Sequence, residues 1–280
     1  MKVLITGSSG MLAKAVINEL KGNDIICTDK NSLDITEKSK VIDFISKNKP
    51  EHIINCAAYT DVDRAEIEKE LARKINSIGV ENLAEAAKSI DATLIHISTD
   101  YVFDGELDLD KEYTETDLAN PKTIYGLTKL EGEKSVKEKL TKFYIFRTAW
   151  LYGDGKNFVR TMLKLGKEKS SLNVVDDQYG TPTYTKDLAK IIKQSIIKKI
   201  PYGVYHATNE DYTNWYEFAR SIFKICNINC IINPVKSEEY VRPAKRPKNS
   251  KMSKNKLKQY GICPRNYKEA LEEYLKEEMK

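Results

Sequence analysis

Residues 3–13 read VLITGSSGMLA, an apolar run that breaks at Gly7 and Gly10 and resumes at Met11. Strand, glycine turn and helix in that order is how a dinucleotide-binding fold builds its phosphate turn. Gly7 permits the tight turn and Gly10 lets backbone approach a diphosphate. The helix start offers unpaired N–H groups and the positive end of its dipole, so the anion needs no charged side chain. Ala13 stands where a third glycine is usual, and its single methyl is small enough to pack against the strand. Glycines end many strands, so GxxG alone is a weak signal; its place between a strand and a helix gives it weight.

Outward from this turn the first half keeps one rhythm. Short runs rich in Val and Ile predict strands at 2–6, 24–28, 52–56, 92–98 and 143–148, and amphipathic stretches predict helices at 11–21, 37–48, 68–90 and 122–139. Each helix is long enough for a right-handed crossover. The fold class expected is α/β: a Rossmann-type doubly wound parallel sheet with a smaller C-terminal substrate-binding lobe. The rhythm loosens after Trp150, with helices expected at 156–169 and 185–198 around a DQYGTPT loop at 177–183. Residues 1–149 are therefore expected to form the NAD(P)-binding domain, with 184–205 returning to it, and 150–183 with 206–280 the substrate lobe.

At 280 residues and 41% hydrophobic, the chain can bury a substantial core. Its N-terminal apolar run is too short for a signal or a membrane span, so a cytoplasmic protein with no membrane partner is expected. Five cysteines without a CxxC pair read as reduced thiols, with Cys226 and Cys230 better read as buried thiols than as a metal half-site. A net charge of +5, spread over interspersed acids and bases, permits an anionic substrate without demanding nucleic acid.

Several residues fall where a dinucleotide would lie. Asp29 ends the second strand and is placed to bond a ribose 2′-hydroxyl, which favours NAD; Lys30 beside it is suited to a 2′-phosphate. NADPH and NADH both remain open. Asp34 and Ile35 are within reach of the adenine, and Asp34 is equally suited to cap a helix beginning at Thr36. Cys56, Ala57 and Ala58 close the third strand with small side chains, as backbone passing under a dinucleotide requires.

The strongest chemical pattern is IYGLTK at 124–129. It puts Tyr125 and Lys129 on one helix face, a turn apart. An adjacent ammonium favours the ionised phenol, so Tyr125 is expected to have a lowered pKa and to serve as a proton donor, while Lys129 also holds the nicotinamide ribose. The strand before it ends His96-Ile97-Ser98-Thr99-Asp100-Tyr101, bringing Ser98 and Thr99 to the sheet edge where open α/β folds bind ligands. Thr99 is placed to bond the reacting oxygen. An isolated YxxxK is more often an ordinary solvated helix face; three patterns in the right order reverse that prior.

With these residues in place the chain resembles the dTDP-4-dehydrorhamnose reductases of the extended short-chain dehydrogenase group, over nearly its whole length. The specific marks are NCAAYTDVDRAE (55–66), STDYVFDG (98–105), RTAWLYG (147–153), DQYGTPT (177–183) and RPAKRPKNS (242–250). The resemblance implies a catalytic trio of Thr99, Tyr125 and Lys129 and sugar contacts at Asp100, Tyr101, Val102 and Trp150. It implies cofactor contacts at Gly10, Met11, Leu12, Asp34, Ile35, Ala57, Ala58 and Thr60. The reaction implied is NAD(P)H-dependent reduction of the C4 ketone of dTDP-4-dehydro-L-rhamnose (dTDP-4-dehydro-6-deoxy-L-mannose) to dTDP-L-rhamnose. Tyr101 separates the chain from sugar-nucleotide dehydratases, which place Asp-Glu after the threonine. Some members bridge a dimer through magnesium held by a first-helix glutamate; the matching position here is Ala15, so that ion is not expected, and a monomer or homodimer is.

His52, His96 and His206 lie in apolar strand-like stretches and read as satisfied core histidines, and no metal is expected. Residues 236–258 carry nine Lys or Arg but also two prolines, two glutamates and a probable helix. They read as one diphosphate contact at Arg246 among solvated lysines, not as a nucleic-acid surface. Two rivals remain: a reductase of another nucleotide-linked ketosugar, and a non-catalytic protein resembling the regulatory subunit of methionine adenosyltransferase. The intact trio speaks against the second.

Overall fold

The computed structural model describes residues 1–279. The chain runs β1 (Lys2–Thr6), α1 (Met11–Glu19), β2 (Asp24–Thr28), α2 (Lys38–Asn48) and β3 (His52–Asn55). Then come short helices α3 (Val62–Ala65) and α4 (Lys69–Arg73), followed by α5 (Gly79–Ser89), β4 (Thr93–Thr99), α6 (Ile124–Lys139) and β5 (Phe143–Thr148). Beyond lie β6 (Leu151–Tyr152), α7 (Phe158–Glu168), β7 (Ser171–Val175), β8 (Tyr179–Gly180), β9 (Thr183–Tyr184), α8 (Thr185–Lys198) and β10 (Gly203–His206). The chain closes with β11 (Thr213–Asn214), α9 (Trp215–Ile225), β12 (Ile231–Val235), α10 (Asn255–Lys258) and α11 (Tyr267–Glu278).

Six strands form one parallel sheet in the order β10-β5-β4-β3-β1-β2. Its strands are apolar on both faces because helices cover both. Val3, Ile5, Ile54, Ile95 and Phe146 face α1 and α8, whereas Leu4, Ile53, Leu94 and Ile145 face α2 and α5. Ala13 is fully buried in the first cluster, so its methyl does pack against the sheet. A separate aromatic core gathers Tyr152, Phe218, Phe223 and Tyr274 with Val159 and Leu271 around α7, α9 and α11.

Two features depart from expectation. The helix predicted over 68–90 is divided by a π-turn, Lys74–Ile78. The wide turn points Asn76 inward, where Oδ1 accepts from Tyr59 N at 2.8 Å and Nδ2 donates to Tyr59 O at 3.0 Å and to Thr128 Oγ1 at 3.2 Å. The sixth strand, β10, was not counted among the sheet strands, although His206 was read as lying in a strand-like stretch: only four residues long behind Pro201, it takes its identity from pairing with β5. No helix among the described residues is long and apolar enough to cross a membrane.

The basic stretch 236–258 holds only a 3₁₀ turn (Ser237–Glu239) and α10, and its lysines are not simply solvated. Lys251 and Lys254 are buried, Lys251 Nζ donating to Leu109 O and Lys254 facing Glu112 and Glu210. Lys245 pairs with Glu106 at 2.7 Å and Lys258 with Glu210 at 2.8 Å. Glu106 and Glu112 of the acidic 104–117 loop, together with Glu210, thus supply counter-ions within the chain, which leaves less charge for a polyanion.

Candidate active site

At the C-terminal edge of the sheet lies a cleft of about 1320 Å³, bounded below by β1, β3 and β4 and above by β7, the start of α9 and the 240–250 strap. It is lined by all the expected site residues except Val102. The 3₁₀ turn Asp100–Val102 directs Asp100 and Tyr101 to the cleft and Val102 away from it. Val102 is fully buried among Phe103, Tyr113, Leu130, Ala149 and Met252, which corrects its assignment as a sugar contact.

At one end, Gly7 has φ +64° and a Cβ there would stand 2.7 Å from Ala57 N, so the turn admits no side chain. Gly10 is the N-cap of α1 and makes no side-chain cap bond, leaving the helix's first N–H groups facing the cleft. This cradle fits a dinucleotide diphosphate. Asp29 Oδ1 is occupied by its own turn, accepting from Asn31 N, Ser32 N and Ser32 Oγ, each at 3.0 Å. Those bonds, led by Ser32, hold its carboxyl below the usual carboxylate range. Lys30 is exposed beside it and makes no ion pair among the described residues. Asp34 is not a helix cap: α2 begins at Lys38 after Glu37, and Asp34 Oδ1 accepts from Thr36 N at 2.9 Å and Thr36 Oγ1 at 2.7 Å to close the preceding turn.

In the middle stands α6, whose N-cap Thr123 accepts from Gly126 N at 3.0 Å. Gly126 is needed for the close seat of α6 on the Asp100–Val102 turn, because a Cβ would collide with Tyr101 O. The helix thereby delivers Tyr125 and Lys129 to the cleft beside Thr99. Tyr101 packs edge-on to Tyr125, ring centroids 5.5 Å apart. Thr99 Oγ1 donates to Asp100 Oδ1 at 2.8 Å and accepts from Tyr101 N at 3.2 Å.

The electrostatics differ from the sequence expectation. Burial pushes Tyr125 up to about 12, partly offset by the Thr99 hydroxyl, and the nearby Asp100 adds to the rise. Lys129 does not lower it: burial brings Lys129 itself down to about 8, against the pull of Glu133. Lys129 Nζ donates to Ile97 O at 2.6 Å and lies 3.3 Å from His96 Nε2. Asn55 explains the second contact. Its Oδ1 accepts from Ala57 N, so Nδ2 must face His96 Nδ1 at 3.1 Å, which leaves the ring proton on Nε2, toward Lys129. A ring N–H facing the amine favours its uncharged form.

Of the three histidines, His96 is the one with partners on both ring nitrogens. His206 has no close partner on either, facing only the backbone of Tyr113 and Ser253; it packs edge-on to Phe103 at 5.6 Å and is pushed down to about 3 by burial, while His52 Nδ1 lacks a partner. The expectation of satisfied core histidines is corrected for these two. All five cysteines are free, Cys226 and Cys230 half-buried. Among the described residues no group of three or more His, Cys, Asp or Glu is disposed to hold a metal ion.

At the far end, Trp150 adopts φ +47° and stacks on Trp215 at 3.5 Å, an aromatic wall that sequence spacing does not reveal because the partners are far apart in the chain. Arg246 reaches the cleft from the strap as a fork on Asp63, Nη1 to Oδ1 at 2.9 Å and Nη2 to Oδ2 at 2.8 Å. The same Asp63 accepts from Ala244 N. Gln178, Trp215 and Ser250 also line the cleft and were not singled out from sequence.

The chain is similar to known proteins in sequence and fold. The family described as RmlD substrate binding domain matches residues 1–280. A dTDP-4-dehydrorhamnose reductase of Aggregatibacter actinomycetemcomitans is 40% identical over 96% of this chain and 97% of that one. The crystal structure of a dTDP-4-dehydrorhamnose reductase from Clostridium acetobutylicum is 47% identical with a TM-score of 0.98 over the whole of both chains. That of the Bacillus anthracis enzyme in complex with NADP is 43% identical, TM-score 0.95, over 99% of this chain and 100% of that one. The chain belongs to the RmlD substrate binding domain family.

Proposed function

We propose that the protein is a nicotinamide-dependent reductase that converts the C4 ketone of dTDP-4-dehydro-L-rhamnose to the alcohol of dTDP-L-rhamnose. The observation that carries this reading is the convergence of Thr99, Tyr125 and Lys129 in the same cleft as the Gly7–Gly10 cradle. The relatives' names supply the substrate. We assign residues 1–149 with 184–205 to the coenzyme domain and the remainder to a substrate lobe.

The bound coenzyme supplies a hydride to the ketone carbon. The chain's own residues do the rest. Gly7, Gly10, Met11 and Leu12 hold the diphosphate against the start of α1; Ala57, Ala58 and Thr60 leave room for backbone to pass beneath it. Asp34, Ile35, Cys56 and Ser98 line the remaining dinucleotide wall. Thr99 fixes the ketone oxygen and Tyr125, protonated throughout the neutral range because burial raises its pKa, gives its phenolic proton to that oxygen. Lys129, anchored on Ile97 O, holds the nicotinamide ribose. Asp100, Tyr101 and the Trp150–Trp215 wall receive the sugar nucleotide. Arg246, fixed by Asp63, keeps its Nε–H and one Nη2–H for the diphosphate. Ala15 offers no carboxylate, so no magnesium bridge is assigned there.

The test is loss of reduced-nicotinamide absorbance with dTDP-4-dehydro-L-rhamnose made in situ, the product identified by NMR. Rhamnose product supports the assignment; no turnover by folded, coenzyme-binding protein sinks it, and a different epimer points to another ketosugar.

Both coenzymes are expected to serve, with NADPH favoured, because Asp29 Oδ1 is already spent on its turn and Lys30 is free to meet a 2′-phosphate. Lys30→Ala is expected to raise KM for NADPH about tenfold, the lower end for a charged hydrogen bond at an exposed site, and to leave KM for NADH unchanged. Equal effects on both coenzymes remove Lys30 from this role.

A further inference from the structure

We infer that Asp100 is a positioning residue whose neutral carboxyl turns the Thr99 hydroxyl toward the substrate ketone. The inference rests on the reductase reading above and gives Asp100 a second task beside receiving the sugar. Thr99 Oγ1 carries one hydrogen, and in the structure that hydrogen lies on Asp100 Oδ1 at 2.8 Å, while Tyr101 N donates into the same oxygen at 3.2 Å. A hydroxyl so engaged has no hydrogen left for a ketone oxygen. Asp100 is only 3% exposed and lines the cleft, and its Oδ2 has no close partner because the neighbouring Ser250 hydroxyl is turned to Tyr179 O at 3.3 Å; a rotation of that hydroxyl is what would bring Asp100 a donor. An ionised carboxylate with one oxygen buried and unpaired is costly.

Protonation resolves both problems at once. With a proton taken from solvent onto Oδ1, Asp100 becomes the donor to Thr99 Oγ1, and the threonine's own hydrogen is released into the cleft beside Tyr125. The catalytic proton balance is unchanged: Tyr125 still gives the proton that ends on the product oxygen, and Asp100 keeps its own through the cycle.

The surroundings agree. Burial pushes Asp100 up to about 6, while the Thr99 and Ser250 hydroxyls favour the ionised form. The groups facing it are Tyr101 on its own turn, Tyr125 on α6 and Ser250 on the strap, with the Arg246–Asp63 pair beyond Tyr101. A substrate diphosphate brings further negative charge and raises the value again. A raised carboxyl is neutral below its pKa and ionised above it, so the productive share declines as pH rises through that value.

The test is the pH profile of kcat/KM for the ketosugar. The wild-type enzyme is expected to fall on the alkaline side, about tenfold per pH unit beyond the limb. In Asp100→Asn the amide donates to Thr99 at every pH, so the limb disappears whatever the height of the plateau. Ser250→Ala removes a hydroxyl that favours the ionised carboxyl and is expected to move the limb to higher pH; it decides the matter if Asp100→Asn is too slow to profile. Coenzyme binding followed by fluorescence shows that each variant is folded. A limb that persists in Asp100→Asn below the Lys129 value of about 8, or one that Ser250→Ala leaves in place when the first variant is too slow, overturns the inference alone. Absence of wild-type turnover overturns the reductase reading and the inference with it.

Discussion

Tyr125→Phe is expected to lower kcat by about 10²–10⁴-fold, the usual worth of a positioned general acid, with coenzyme affinity unchanged. The phenol is the group on this cleft wall that carries a transferable proton through neutral pH, since burial pushes it up to about 12. Phenylalanine keeps the ring, its edge contact with Tyr101 at 5.5 Å and the backbone seat of α6 at Gly126, so the cleft retains its shape. What is lost is the proton that neutralises the developing alkoxide. Single-turnover kinetics with a fluorescence titration of NADPH separate the two effects. A variant that turns over at the wild-type rate removes Tyr125 from the chemistry. A non-catalytic regulatory protein has no turnover for the substitution to change, so the same pair of measurements also decides between those classes.

Much of this site can be read in the sequence because its parts are local. The Gly7–Gly10 turn lies between adjacent elements, Tyr125 and Lys129 are one helical turn apart, and Ser98 to Tyr101 are consecutive at a strand end. The alternating faces of β1, β3, β4 and β5 make the sheet legible for the same reason. What escaped reading depends on partners distant in the chain. Arg246 is fixed by Asp63, 183 residues away, and Trp150 finds Trp215 only after the second lobe folds back. Val102 looks like a third cleft residue in STDYVFDG until the 3₁₀ turn sends it inward. The sign of the Tyr125 shift was misread because sequence shows a neighbouring lysine but not the burial that depresses the lysine and raises the phenol together. The π-turn at Asn76 has no periodic signature, since it exists to let one amide reach both Tyr59 and α6.

The largest effect on stability is expected from Glu133→Ala. Glu133, fully buried on α6, takes a two-pronged contact from Arg147 on β5, Nε to Oε1 at 2.9 Å and Nη2 to Oε2 at 2.7 Å, and the Ser98 hydroxyl donates to Oε1 at 2.6 Å. Arg147 is itself buried, with Nη1 unpartnered and the guanidinium 5.0 Å from the Phe103 ring. Removing the carboxylate strands that cation and the Ser98 hydroxyl, a loss of about 3–5 kcal/mol and, for a chain of this size, a fall in Tm of roughly 10 °C. Glu133→Leu combined with Arg147→Met removes both charges and is expected to recover most of the loss, leaving chiefly Ser98 without its acceptor. The pair also makes stability depend on pH. Although burial opposes it, Arg147 and Ser98 hold the Glu133 carboxyl below its ordinary value. Its contribution is therefore complete above the unfolded glutamate pKa of about 4.3 and is lost as pH falls through the lower folded value. Because β5 and α6 are joined here directly beneath Thr99 and Tyr125, thermal melts of the single and double variants across acidic pH report how firmly the catalytic helix is held to the sheet. A double variant no more stable than Glu133→Ala alone shows that lost packing, rather than a stranded charge, accounts for the single variant's weakness.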